Sequence, residues 1–492
     1  NHGQLPGTFR TLDGVRGAAE LDCGALPAAQ RSGAENSHCE MGLISRDGWA
    51  LLDDSLRGRL GVRRRGDAGA EEAIPGWERW AAPLAAGVVD DESTGGEDAR
   101  CAGWAGSGEC ESNPSFMQAS CAAACRRMRA TAAARAAVSA RRDWYIFGHG
   151  LDYGAALRDY SLVGGAQPLP PRYAFGVWYS RWWPFADFET SALVDQFEDH
   201  GVPLDTVVSD MDWHHTCFRR TYGSEDEKSM DFSHNWPCWS GFSFDRKHFP
   251  NATAFFRESH ARGIHNALNL HFQSGLQPEE DAYPAFSAAL ALPPTASHAA
   301  FDPLNHSYSA AFHHTVLGPL ERQGVDLWWL DWQQGEHQFA GSPTPEINPT
   351  WWLNHVYYTQ PDGRSQRAVQ PHEEASAAFT LPDGAAARRR IILHRWGGLG
   401  NHRYPLGFSG DVKPDWASLT FQPHFTASAA NVLFGYWSHD IGGFYEPIDA
   451  ELYTRWVQFG ALSPVFRAHG FRSADIVKRF WLYPPHHFEA MR

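Results

Sequence analysis

Two stretches of this chain close an apolar run on a carboxylate. They are Gly324-Val325-Asp326-Leu327-Trp328-Trp329-Leu330-Asp331-Trp332 and Gly407-Phe408-Ser409-Gly410-Asp411-Val412-Lys413-Pro414-Asp415-Trp416. An ionised Asp is rarely buried without a partner, so acids at strand ends point to chemistry at the mouth of a barrel. Two carboxylates facing each other across a sugar suffice to break a glycosidic bond. One attacks the anomeric carbon and must stay ionised. The other protonates the leaving oxygen and must hold its proton near neutral pH, through apolar burial or nearby negative charge. Asp411, with Phe408 before it and Trp416 after it, suits the second role.

The elements that would position these acids are apolar, strand-like runs recurring from about residue 170. They cover Tyr173–Tyr179, Asp205–Val208, His265–Leu270, Val325–Leu330, Arg390–Leu393, Leu406–Phe408, Val432–Tyr436 and Leu462–Phe466, with amphipathic or Ala-rich stretches between most of them. This alternation predicts an α/β fold, a (β/α)8 TIM barrel over residues 170–492. A doubly wound sheet is the alternative, but no Gly-rich phosphate loop follows the first strand. In a parallel barrel the strand ends converge on one face. They would bring together Ser209-Asp210-Met211-Asp212-Trp213-His214, Asp331, His394-Arg395-Trp396, Asp411, Trp437-Ser438-His439-Asp440 and Arg467-Ala468-His469. A lone Asp after a strand is usually the N-cap of the next helix. Five strands ending this way make capping a poor general account.

Residues 1–90 read as β-structure, a partial N-terminal sandwich, with an acidic, Gly-rich linker after them. Residues 129–169 read as a connector. Four of the eight Cys crowd into CAGWAGSGECESNPSFMQASCAAAC, from Cys101 through Cys110 and Cys121 to Cys125. That density favours disulfides, hence the secretory pathway, lumenal or extracellular. Zinc is the alternative, but no CxxC pair is present and no His lies inside the cluster. The stretch over residues 98–128 resembles an ShK-toxin-like (ShKT) module, in its Cys-x-x-Trp-Ala…Gly-Glu-Cys-x-x-Asn-Pro…Met…Cys…Cys pattern. The family carries six Cys and this copy lacks the first and last, which pair with each other. The resemblance therefore implies bridges Cys101–Cys121 and Cys110–Cys125. A structural spacer or a protein-contact module is its expected role. Pairings Cys23–Cys39 and Cys217–Cys238 are open from spacing alone.

The stretch from about 140 to 492 resembles glycoside hydrolase family 31, the retaining α-glucosidase and α-xylosidase family. Trp-Leu-Asp331 is similar to its nucleophile motif, and Gly410-Asp411 followed by Trp416 to its acid/base motif. By the same resemblance Asp210, the first Asp of Asp-x-Asp-Trp, and Arg395 would hold sugar hydroxyls. Asp440 in His-Asp-Ile-Gly-Gly-Phe, and Arg467 and His469, fall in place beside them, with Trp329 and Phe408 lining the sugar. The implied activity is exo-acting, retaining hydrolysis of terminal α-linked sugars, α-glucosidase-like, on an oligosaccharide or α-glycoside, with no cofactor and no metal. Against the resemblance, the C-terminal β-domains usual in the family read as missing. Two departures stand out. The commonest pattern at the nucleophile is Asp-Met-Asn-Glu, whereas Asp331-Trp332-Gln333-Gln334 occurs here, which leaves glucose, galactose, N-acetylgalactosamine and xylose configurations open. Phe408 stands where many members carry Trp.

A net charge of -15 and a sequence pI near 5.9 argue against nucleic acid as a partner. No apolar run is long enough to span a bilayer. With no initiating Met and no signal peptide, the N-terminus reads as incomplete or processed. The abrupt stop at Arg492 reads as a truncation. Two glycosylation sequons occur, Asn251-Ala252-Thr253 and Asn305-His306-Ser307. His271 ends the third run and reaches either the pocket or a structural hydrogen bond. His214-His215 and His313-His314 could suggest a metal, but no Cys or carboxylate falls at ligand spacing to form a closed site with them. A reading from another class is a catalytically inactive carbohydrate-binding protein that keeps the barrel as a lectin-like site; retention of both Asp331 and Asp411 argues against it.

Overall fold

The computed structural model describes residues 4–7, 41–53, 59–61, 79–81, 125, 144–215, 240–272, 275–296, 298–302, 305–331, 349–359, 389–395 and 397–492. Three short antiparallel pairs precede the barrel. β1 (Gln4–Pro6) pairs with β2 (Met41–Ser45), β3 (Ala50–Asp53) with β6 (Trp144–Phe147), and β4 (Arg59–Gly61) with β5 (Arg79–Ala81). β6 lies within the stretch expected to be a connector. Leu43, Ala50, Leu52 and Phe147 share one buried cluster with Val432, Phe434 and Trp437 of the barrel. Cys125 is buried and disulfide-bonded. Cys101, Cys110 and Cys121, and with them the expected pairing, lie outside the described residues, as do Cys23, Cys39, Cys217 and Cys238.

The barrel strands are β7 (Val177–Arg181), β8 (Thr206–Ser209), β9 (His265–Leu270), β10 (Leu327–Leu330), β11 (Ile392–Arg395), β12 (Gly407–Phe408), β13 (Trp437–Ser438) and β14 (Phe466–Ala468). They form one eight-stranded sheet in the order β13-β12-β11-β10-β9-β8-β7-β14, each neighbouring pair parallel. The edges meet where Val465 N–H donates to Trp437 O at 3.3 Å and Ile441 N–H to Arg467 O at 3.1 Å. Helices alternate with the strands, among them Asp187–Asp199, Ala252–Ala261, Pro349–Thr359, Trp416–Ala430 and Ala450–Gly460. Asp415 and Asp449 cap the last two, accepting from Ser418 N at 2.7 Å and Leu452 N at 3.0 Å. Such caps stabilise a helix by about 1 kcal/mol each. Among the described residues no helix is long and apolar enough to cross a membrane.

Strand residues alternate between two layers, as the period of a strand requires. Trp178, Val208, Ala267, Leu327, Trp329, Leu393 and Phe408 fill the interior. Leu268, Leu270, Trp328, Leu330 and Ile392 face outward onto Phe255, Phe256, Val316, Leu317 and Leu353 of the surrounding helices. Burying each such side chain stabilises the fold by about 1.5–3 kcal/mol.

Four runs sit differently from their hydropathy. Arg172–Phe175 is a 3-10 turn, and the first strand starts only at Val177. Between them Gly176 admits the Asp205 carboxylate, which accepts from Val177 N at 2.9 Å and would lie 2.1 Å from any Cβ at residue 176. Val432 and Leu433 close the helix Trp416–Ala430 by donating to Ala429 O and Ala430 O, so the seventh strand begins at Trp437. Leu462 likewise turns off the helix Ala450–Gly460 and is exposed, and the eighth strand begins at Phe466. The fifth starts at Ile392 and runs through His394 and Arg395. The strands at the fifth and eighth positions carry buried Arg, which a hydropathy reading counts against a strand.

Candidate active site

Inward positions at the strand ends follow from the same alternation. Two residues beyond inward Val208 stands Asp210; beyond Trp329, Asp331; beyond Leu393, Arg395; beyond Ala267 and Asn269, His271. Asp210, Asp331, Arg395, Asp440, Arg467 and His469 are all buried. Asp411 keeps 22 % of its side chain exposed, at the open end of the group.

Arg395 ties the two expected catalytic acids together. Its Nε donates to Asp331 Oδ1 at 2.8 Å and its Nη2 to Asp411 Oδ1 at 3.0 Å. The same Nη2 lies 2.8 Å from Asp331 Oδ1. The two carboxyl oxygens that share this nitrogen are therefore no farther apart than the sum of those two contacts. Asn269 Nδ2 donates to the other oxygen, Asp331 Oδ2, at 2.8 Å, and His271 Nε2 lies 3.8 Å from it. Burial pushes the Asp411 carboxyl above the usual carboxylate range; Arg395 pulls it down and the Asp331 charge pushes it up again. Gly410 takes φ 84°, a left-handed turn that glycine enters without a Cβ penalty, and this aims the next residue back at Arg395. Phe444 N–H donates to Val412 O at 2.7 Å, fastening the acid's loop to the one after β13.

Beneath this pair lies a floor of buried charge. Arg467 and Asp440 form an ion pair with both side chains fully buried. The Arg467 guanidinium sits 4.8 Å from the Trp329 ring and 4.7 Å from that of Phe408. Burial raises the Asp440 carboxyl in spite of Arg467. His469 Nδ1 contacts Ser180 Oγ at 2.8 Å and its Nε2 stands 3.7 Å from Asp210 Oδ2. Its ring stacks on Phe444 at 4.9 Å and meets Trp329 edge-on at 5.3 Å. Burial, then Arg467, drives its pKa far down. Asp210 caps the short turn Met211–Trp213, accepting from Met211 N at 2.7 Å. Burial and then Asp331 raise its carboxyl well above the ordinary value. Capping and pocket-lining thus coincide in this Asp. The loop through Phe242 and Ser243 is pinned by Glu280, which accepts from Phe242 N at 3.1 Å and Ser243 Oγ at 2.5 Å.

The structure gathers Asp210, Trp329, Asp331, Arg395, Phe408, Asp411, Asp440, Arg467 and His469 at one end of the barrel, and sets His271 beside Asp331. Trp332, Gln333 and Gln334, which follow Asp331, lie outside the described residues, as does Trp396. Sequence reading missed Asn269, Ser180 and Phe444. A signal for Asn269 existed: Asn269 and His271 alternate with Leu268 and Leu270, polar inside and apolar outside.

A parallel eight-stranded barrel with paired carboxylates at the C-terminal ends of its strands defines the class. Residues 167–492 match the glycosyl hydrolases family 31 TIM-barrel domain, and residues 96–127 match the ShK domain-like model. The chain belongs to glycosyl hydrolase family 31. It is 26% identical over 356 residues to an alpha-xylosidase of Saccharolobus solfataricus, covering 71% of this chain and 44% of that one. It is 24% identical over 367 residues to neutral alpha-glucosidase AB of Homo sapiens, covering 68% and 34%. The chain thus spans less than half the length of either relative. In fold it is similar to an ER glucosidase II heterodimeric complex, with TM-score 0.54 at 15% identity over 71% of this chain and 38% of that one. It is likewise similar to a Flavobacterium johnsoniae GH31 dextranase complexed with glucose, with TM-score 0.52 at 17% identity over 71% and 43%.

Proposed function

We propose that this chain is a retaining, exo-acting α-glycosidase, α-glucosidase-like in its terminal sugar. The observation that carries the reading is the shared Arg395 Nη2. Contacts of 2.8 and 3.0 Å to one nitrogen hold the nearest oxygens of Asp331 and Asp411 closer than the roughly 6.5–9.5 Å that inversion needs to admit a water. Asp331 attacks the anomeric carbon as the bond to the leaving oxygen breaks, and Asp411 gives that oxygen its proton. Asp411 then takes a proton from water, whose oxygen displaces Asp331 from the same carbon. Asp210, Arg395 and His469 orient the terminal sugar above the buried Asp440–Arg467 pair, and the relatives' names, alpha-xylosidase and alpha-glucosidase, agree with an α-linked pyranose.

The two-step course has a direct check. Asp411→Ala loses activity, and azide restores turnover only on substrates with good leaving groups, which need no proton. Azide attacks the glycosyl-enzyme without a base, so the product is the α-glycosyl azide. An absence of rescue, with Asp331 intact, would count against the acid/base role.

A secretory location is part of the same reading, supported by the disulfide-bonded Cys125. The exposed sequon residues Asn251 and Asn305 cap helices through Oδ1, which accepts from Ala254 N at 3.0 Å and Tyr308 N at 3.2 Å. A glycan attaches at Nδ2, so glycosylation leaves both caps standing. Chain secreted from eukaryotic cells should lose the mass of two glycans on PNGase F treatment, and of one in Asn251→Gln. An unchanged mass would overturn the assignment. The ShK-like module is read as a protein-contact element, since about 30 stapled residues offer surface and no core of their own.

A further inference from the structure

Asn269 is fully buried on β9, where its neighbours Leu268 and Leu270 pack outward and it points into the barrel. Its Nδ2 donates to Asp331 Oδ2 at 2.8 Å, while its Oδ1 is buried with no hydrogen-bond partner among the described residues. Leaving such an acceptor unmet costs about 1–3 kcal/mol, and an aliphatic side chain here would avoid it. The backbone is held as well: Trp213 Nε1 donates to Asn269 O at 2.8 Å. Register puts Asn269 directly beside Trp329, two residues before Asp331, so the amide reaches the nucleophile from the neighbouring strand. His271, the next inward residue, cannot replace it: its Nε2 is 3.8 Å away, and burial holds its pKa down at about 4.

We propose that Asn269 is a positioning residue for the nucleophile, its amide fixing the Asp331 carboxylate from the Oδ2 side while Arg395 fixes it from the Oδ1 side. Two donors on opposite oxygens stop rotation about the bond that carries the carboxylate, and both favour its ionised form. The inference rests on the retaining reading above. An amide is suited to the task because it donates without adding a charge beside Arg395.

The test traps the intermediate. Wild type, Asn269→Ala and the near-isosteric Asn269→Asp are treated with 5-fluoro-α-D-glucosyl fluoride, and labelling is followed by intact mass alongside the pH profile of kcat/KM. Asn269→Ala should label about 10- to 100-fold more slowly, the loss expected when a reacting group is misplaced. Its acidic limb should move to higher pH, because a carboxylate that loses a donor is protonated more readily. Asn269→Asp should recover rate only on the acidic side, where the introduced carboxyl holds a proton it can donate. Labelling within twofold of wild type, or slower labelling with an unmoved acidic limb in both variants, would overturn the positioning role. Failure of the wild type itself to label while it hydrolyses substrate would overturn the retaining reading instead.

Discussion

Replacing Asp331 by Ala is expected to lower turnover of aryl α-glycosides by on the order of 10^4- to 10^6-fold, the scale seen when a covalent nucleophile is removed. The loss should fall on chemistry and spare folding. Arg395 keeps its 3.0 Å contact with Asp411 when Asp331 is gone, so no buried charge is stranded. The variant should therefore melt close to wild type while kcat collapses for substrates with both good and poor leaving groups. That last feature separates it from the Asp411 variant, whose loss depends on the leaving group. Turnover of Asp331→Ala within a few fold of wild type would sink the assignment of the nucleophile.

The largest effect on stability should come from Arg467→Met. Asp440 and Arg467 are both fully buried, with neither side chain accessible to solvent. Removing one partner of such a pair typically costs about 3–5 kcal/mol, because the other is left charged in a low-dielectric interior. The double variant Arg467→Met/Asp440→Asn should recover much of that, since it leaves no charge behind. The pH dependence has a definite sign. Burial already raises the Asp440 carboxyl, and losing Arg467 raises it further. A carboxyl with a folded pKa above its unfolded one binds more protons in the native state, so stability is highest in acid and falls as pH rises. Urea unfolding of Arg467→Met between pH 5 and 8 should show that decline, and wild type a weaker one. A single variant within about 1 kcal/mol of wild type at pH 7 would refute the ledger of this pair.

The residues of the site were legible because a strand has a period of two and a parallel barrel has one functional end. Asp210, Asp331 and Arg395 could be named from chemistry and position before any contact was known. Asn269 stayed hidden because its amide, in a strand that also carries Asn266, resembles a tolerated polar residue; only the neighbour across the sheet shows that it donates to Asp331. The strands at Val177, Ile392, Trp437 and Phe466 were displaced for a related reason. Hydropathy rewards the apolar helix ends at Val432 and Leu462 and penalises strands that bury Arg395 and Arg467.

The amino-acid order by itself determined which side chains can do chemistry and that they stand at strand ends, since residue type and spacing are local facts. It also determined the alternation of layers, which needs only the strand period. The tertiary structure alone decided who pairs with whom. Arg395 could have bound a sugar hydroxyl or one acid; closure of the barrel brings Asp331 and Asp411 to the same nitrogen. Arg467 and Asp440 could each have faced the pocket; the ring of parallel strands buries them together as its floor. Such partnerships join residues from different strands, and their energies depend on distance and on the exclusion of water, neither of which is written in the order of residues along the chain.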